Sequence, residues 1–367
     1  MLSRATHFQT GFILVSLLAA WPGLAADSDW SFLGGLPKPA VPQENPVTGE
    51  KVELGRHLFY DIRLSVNRRH SCASCHRQEL AFTDGLARAK GATGELHPRS
   101  SMSLINVAYA PRLTWVHPDL ESLEEQVTVP MFGENPVELG LKGTFYAVLA
   151  EFRSDPVYRR LFPAAFPGQQ DPFNLDVVTK AIASFQRTII SARSPYDRYR
   201  RGDSDALTEA AKRGEVIFFS GGKAGCFQCH GGWNFSGPLR WDGKQKVEVE
   251  FHNTGLYNLD SDGSYPSPNL GLFTYTKRAE HMGRFRAPTL RSIAVTAPYM
   301  HDGSISTLEG VIEHYAHGGR AGANPYTSRI LRPLPLSSAE KQDLMEFLRS
   351  LTDEAALNDP RWSNPWR

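Results

Sequence analysis

The 367-residue chain has little cysteine, no surplus of charge and no apolar run long enough to span a bilayer. Each scarcity excludes something. The 40 Lys and Arg nearly cancel the 39 Asp and Glu, leaving a formal net charge of +1. No Lys/Arg run appears either, so nucleic acid is not an expected partner. The apolar run from Gly11 to Leu18, extended by Ala19 and Ala20, stops at Pro22 and Gly23, too soon for a spanning helix. Arg4 and His7 precede it, and the small residues Gly23, Ala25 and Ala26 follow it. It therefore reads as a secretory signal over residues 1–26, with the periplasm as the expected compartment and no membrane span. Strand-like alternation is also sparse, which points to a mostly α fold.

What cysteine there is falls in one pattern. All four residues belong to two copies of Cys-x-x-Cys-His: Cys72, Cys75 and His76, then Cys226, Cys229 and His230. This is the attachment signature of c-type haem, in which two thioethers hold the porphyrin edge and the histidine faces the iron. A zinc site would need further Cys or His at finger-like spacing near each pair. A redox dithiol does not need the trailing histidine. Two covalent haems are expected, and with every cysteine committed no disulfide is. The length suggests two cytochrome-c-like helical domains with one haem each, 27–195 and 196–367, meeting near Ser194-Pro195.

Between the motifs the pattern is helical. Residues 34–46 are rich in Gly and Pro and read as an irregular arm. Short helical patterns cover 52–59, 120–129, 146–152 and 157–162. Val178, Ile182, Phe185 and Ile189 give 176–190 a clear apolar face. Further helices are expected over 207–219, over 307–316 with Ser306 as N-cap, and over 338–351. Ser337 and Glu340 form a capping box at the start of the last. A short hairpin is expected around 247–251.

Several segments carry a resemblance. Leu54-Gly55-Arg56 to Phe59-Tyr60-Asp61, Ala81-Phe82-Thr83-Asp84, Phe285 to Arg291 and Ala297 to Gly303 are similar to the bacterial di-haem cytochrome c peroxidase / MauG superfamily. The similarity covers nearly the whole mature chain. The run Cys75 to Phe82, the pair Thr114-Trp115 and the block Pro136 to Gly140 most resemble its MbnH-type members. The resemblance implies a peroxide-reactive first haem on His76, with Gln126, Pro130 and Glu138 on its open side. Glu138 is the implied acid/base for moving the peroxide proton. Trp115 is the implied bridge between the haems.

The sixth ligand of the second haem divides the family. Peroxidases use methionine and MauG uses tyrosine. The matching residue is Tyr315, with Met300 and His314 as alternatives by residue type. A phenolate is a hard anion that stabilises oxidised iron, whereas a thioether favours the reduced state. The resemblance also implies a calcium ion at Ser100, Thr296 and Pro298, with Ser100 where the family has asparagine. A histidine near His97 blocks the first haem in some peroxidases. MauG passes oxidising equivalents through a tryptophan whose position here is Ala224, which leaves Trp233, Trp241 and several tyrosines as other exits.

The implied activity is reaction with hydrogen peroxide to a high-valent bis-Fe(IV)-like state. That state would oxidise a tryptophan to kynurenine on a copper-binding, MbnP-like partner. The alternative is a cytochrome c peroxidase fed by a small cytochrome or cupredoxin. The third reading is a non-enzymatic electron-transfer cytochrome.

Overall fold

The computed structural model describes residues 30–320 and 322–366, so the expected signal segment lies outside the described residues. The chain is mostly helical, and the residues between helices run as turns and irregular segments. Among the described residues the only named strands are Phe251–His252 and Phe285–Arg286, paired antiparallel. The expected hairpin around 247–251 therefore does not form locally. Its partner lies far along the chain, a pairing that local alternation cannot reveal.

Most helices start at a readable signal. The helix Leu175–Arg187 begins after Asn174, whose side-chain oxygen accepts the Val177 N–H at 3.0 Å. Its Val178, Ile182 and Phe185 are fully buried. The helix Ser338–Arg349 starts with the expected capping box between Ser337 and Glu340. One cap differs. Leu308–Ala316 is capped by Thr307, which accepts the Gly310 N–H at 3.1 Å. Ser306 is one residue too early to reach that donor. Ser194-Pro195 does more than mark a boundary: it caps and opens a further helix, Pro195–Arg200.

Two helix pairs organise the packing. Gly49–Tyr60 crosses Leu175–Arg187 in the first large core, and Glu209–Phe219 crosses Ser338–Arg349 in the second. Each crossing holds a glycine against the facing backbone. A Cβ on Gly55 would fall inside the van der Waals envelope of the Ala181 carbonyl, and one on Gly214 inside that of Asp343. Alanine is the better helix former by ~1 kcal/mol. Overpacking costs ~1–3 kcal/mol and here meets backbone, which cannot swing away. Gly55→Ala and Gly214→Ala are therefore each expected to lower the thermal unfolding midpoint. An unchanged midpoint for both would refute the tight-crossing account.

The C-terminal tail packs on the first core. Ala356, Leu357 and the fully buried Trp362 join residues from 47 to 189 there. Gln78 donates to the Ala356 and Asp359 carbonyls at 3.2 and 2.8 Å, and Tyr60 Oη donates to the Trp362 carbonyl at 2.7 Å. No helix among the described residues is long and apolar enough to cross a membrane.

Candidate active site

Each Cys-x-x-Cys-His segment closes as a single turn. The His76 N–H donates to the Cys72 carbonyl at 3.1 Å, and the His230 N–H donates to the Cys226 carbonyl at 2.8 Å. Each set of two thiols and an imidazole lines its own cavity. The first encloses about 700 Å³ free of atoms and the second about 1490 Å³, both partly open to solvent.

The side chains fit a covalent haem in each. His76 Nδ1 lies 2.8 Å from the Phe82 carbonyl. His230 Nδ1 lies 3.0 and 3.1 Å from the Phe235 and Pro288 carbonyls. A carbonyl only accepts, so Nδ1 carries the proton and Nε2 keeps the lone pair an iron needs. Burial lowers both imidazole pKa values, that of His230 to about 4, and keeps them neutral. Burial also pushes Cys72, Cys75 and Cys226 up to about 12 and Cys229 to about 11. These are not the low-pKa thiolates of a redox dithiol. Among the described residues no cluster of three His, Cys, Asp or Glu could hold a metal, so the zinc alternative lacks a ligand set.

Gln126, Pro130, Glu138 and His97 all line the first cavity. Gln126 and Pro130 are four residues apart on the helix Leu123–Phe132, and so share a face. The Pro130 carbonyl accepts the Leu139 N–H at 2.9 Å, which draws the Glu138 segment alongside. From the other side the Ala92 N–H donates to the Glu138 carbonyl at 2.6 Å. Gly91 lies so close that a Cβ there would collide with the Val137 carbonyl. The Glu138 backbone is thus pinned from two sides while its carboxyl faces the cavity. Burial there raises its pKa to about 7, although the Arg99 cation opposes the rise. Mostly the surroundings are neutral. His97 Nδ1 lies 3.1 Å from the Arg99 N–H and 3.3 Å from the Arg99 carbonyl, and its Nε2 is 3.8 Å from Glu138 Oε1. Burial lowers the His97 pKa to about 4.

Tyr315 and Met300 both line the second cavity with Cys226, Cys229 and His230. The Tyr315 hydroxyl makes no hydrogen bond to the described residues. Burial, and then the neighbouring Cys229 and Cys226, raise its pKa. Only a strong positive charge would ionise it there. His314 is engaged elsewhere, with Nε2 2.9 Å from the Thr254 carbonyl. Ala224 lines the same cavity.

Trp115 lines the second cavity and also a smaller one of about 520 Å³ that draws residues from both halves. Its Nε1–H donates to the Ser100 carbonyl at 3.0 Å. Ser100, Thr296 and Pro298 line that smaller cavity together. Trp233 packs edge-on against the buried Tyr109, with ring centroids 4.6 Å apart, and Lys244 Nζ sits 4.8 Å above the half-buried Trp241 ring.

Three residues were not singled out by the sequence. Asp84 lines the smaller cavity and accepts from the Leu86 N–H and Ser101 Oγ–H at 3.0 and 3.1 Å. His301 lines the second cavity, stacked on Phe285 at 3.7 Å, with Nε2 buried and without a hydrogen-bond partner among the described residues. Arg286 lines it too, almost fully buried. All three sit inside the motif segments, so the signal was present without a side-chain role attached.

A mostly helical chain with two such turns, each facing its own cavity, defines a c-type di-haem scaffold. Residues 49–205 match the family model described as di-haem cytochrome c peroxidase. The chain is 35% identical over 369 residues to cytochrome-c peroxidase IdrP1 of Pseudomonas sp. (strain SCT), covering 96% of this chain and 94% of the relative. It is 35% identical over 317 residues to the methylamine utilization protein MauG of Methylorubrum extorquens, covering 86% and 82%. A solved MauG-like protein associated with microbial copper homeostasis superposes with a TM-score of 0.88 at 45% identity, covering 90% of this chain and 97% of that one. The chain belongs to the di-haem cytochrome c peroxidase / MauG family and is a peroxidase-type oxidoreductase. The family carries haem c.

Proposed function

We propose that the protein is a periplasmic enzyme of the MbnH type that uses hydrogen peroxide to oxidise a side chain on a partner protein, and that Tyr315 carries this reading. When bound, the two haems supply peroxide reduction and storage of the two oxidising equivalents. His76 and His230 would hold the irons from one side, and the four cysteines would hold the porphyrins. Around the first haem, Glu138 takes the proton from incoming peroxide and returns it to the departing oxygen. Gln126 would donate a hydrogen bond to the peroxide, and Pro130, with no N–H and no ligating atom, would keep that face open. Around the second, the Tyr315 hydroxyl has no hydrogen-bond partner among the described residues in a cavity it shares with the second haem motif, which suits a phenolate ligand. Trp115 supplies the conducting contact between the two sites.

The substrate is read as a tryptophan, converted to kynurenine, on a copper-binding, MbnP-like protein. Support comes from the solved relative at 45% identity, which is described as MauG-like and associated with copper homeostasis. Ala224 removes the family's exit tryptophan, so the equivalents leave by another path, with Trp233 and Trp241 as candidates. Calcium at Ser100, Thr296 and Pro298 would rest on carbonyl and hydroxyl oxygens, which that cation accepts. Residues 1–26 would be the cleaved export signal, and 27–195 and 196–367 the two haem domains.

A second reading has its own observations. The relative at 35% identity is named as a cytochrome-c peroxidase, and Met300 shares the cavity with Tyr315. In that case a small cytochrome or cupredoxin would feed electrons to peroxide. The third reading, a non-enzymatic carrier, gives no use to a cavity lined by Gln126, Pro130 and Glu138. The deciding experiment adds peroxide to the holoprotein, first alone and then with a small copper-binding periplasmic protein. A long-lived oxidised spectrum that decays on adding the partner, with a new mass on one partner tryptophan, is the expected result. Fast turnover of reduced cytochrome c without partner modification would establish the second reading instead.

A further inference from the structure

The guanidinium of Arg286 is a buried charge without an opposite charge. The residue is only 9% exposed. Its contacts are all neutral: Nε donates to the Thr114 carbonyl at 3.2 Å, one terminal nitrogen to the Ala287 carbonyl at 3.3 Å, and the other lies 3.6 Å from Met102 Sδ. No carboxylate lies within ion-pair distance among the described residues. The other two buried arginines among the described residues each have a bidentate carboxylate, Arg187 with Glu124 at 2.6 and 2.8 Å and Arg291 with Asp197 at 2.7 and 2.9 Å. Burial alone lowers the Arg286 pKa, to about 10, with no anion to oppose it. A buried lone cation costs several kcal/mol, so such groups sit where a partner arrives. Arg286 lines the second cavity, and its backbone N–H holds the Trp115 carbonyl at 2.9 Å.

We infer that Arg286 is the counter-cation for a propionate carboxylate of the second haem, and that its charge keeps oxidising equivalents off Trp115 and on the irons. The inference rests on the reading that the second cavity holds a haem. A haem brings two carboxylates on one edge, which is the anion this site lacks, and guanidinium matches carboxylate geometry bidentately. The second half follows from Trp115. Oxidising it removes one electron from the indole to the peroxide-oxidised haem. Its Nε1–H faces a carbonyl, Ser100 O, which does not take the proton, so the indole would stay a cation. With the propionate balanced by Arg286, no net anion stands in this low-dielectric site to stabilise that cation, and the hole stays on iron.

The test uses the holoprotein and its Arg286→Met and Arg286→Lys variants. Alkaline haemochrome spectra first count the haems. Spectroelectrochemical titration then gives the midpoint of the second haem, and rapid-freeze spin resonance after peroxide gives the organic radical. Removing a positive charge near the iron favours the oxidised state, so Arg286→Met is expected to lower the midpoint. It should also raise the radical signal severalfold, and the increase should vanish when Trp115→Phe is added. Arg286→Lys, which keeps the charge, should restore most of both. Fewer than two haems in the parent protein would remove the reading beneath the inference. Two haems with an unchanged midpoint and no added radical in Arg286→Met would overturn the inference alone. Should Arg286→Met not fold, Arg286→Lys decides: a midpoint and radical yield displaced as far as in an uncharged Arg286→Gln would show that charge is not what matters.

Discussion

Glu138→Gln is expected to slow the reaction of the protein with peroxide by ~10²–10⁴-fold, the usual range for losing a positioned acid/base. Glutamine keeps the shape and the hydrogen bonding of the carboxyl but cannot take the proton. The pH profile sharpens the test. A base works in its ionised form, and burial raises the Glu138 pKa to about 7. The second-order rate should therefore climb as pH rises through about 7 and level off above it. In Glu138→Gln the rate should be low and flat across the same range. Stopped-flow absorbance at the Soret band measures both. A variant that keeps the parent rate and the parent profile would remove Glu138 from the mechanism.

Tyr315→Met should change the second haem most. With Tyr315 as the proposed ligand, exchanging its phenolate for a thioether would remove a negative charge from the iron and substitute a softer donor. The midpoint should rise by a large part of the roughly 0.8 V that axial ligation spans in haem proteins. With the higher midpoint, the second haem becomes a good acceptor for ordinary donors. Turnover of reduced cytochrome c should appear, and the long-lived oxidised state should shorten. Spectroelectrochemistry and steady-state oxidation of cytochrome c measure the two effects. An unchanged midpoint would mean that Met300 or another residue already fills the position.

The helices were legible because their signals are local. The apolar spacing of Val178, Ile182 and Phe185 and the capping box of Ser337 with Glu340 need only a few neighbouring residues to read. The two haem motifs are equally local. Features that depend on distant partners were not legible. The strand Phe251–His252 is set by Phe285–Arg286 rather than by its own neighbours. The cap of Leu308–Ala316 moved by one residue because reach to a single N–H decides it. The candidate site divides the same way. Residue type and resemblance pointed to Gln126, Pro130 and Glu138, and they line one cavity. The Arg286 charge could not be valued without knowing what surrounds it, since an arginine in sequence carries no mark of lacking a partner.

Residues 356–362 bear on how the two halves depend on each other. Trp362 sits at the centre of the core that supports the first haem motif, and Gln78, two residues after His76, is tied to the carbonyls of Ala356 and Asp359. The first core is thus walled by a segment from the far side of the second. Without Trp362 and those two carbonyls it would lose that wall, and Gln78 its partners, however well the helices of the first half form. A disturbance near residue 360 should therefore be felt at the first Cys-x-x-Cys-His turn, so the two halves are expected to unfold together rather than one after the other.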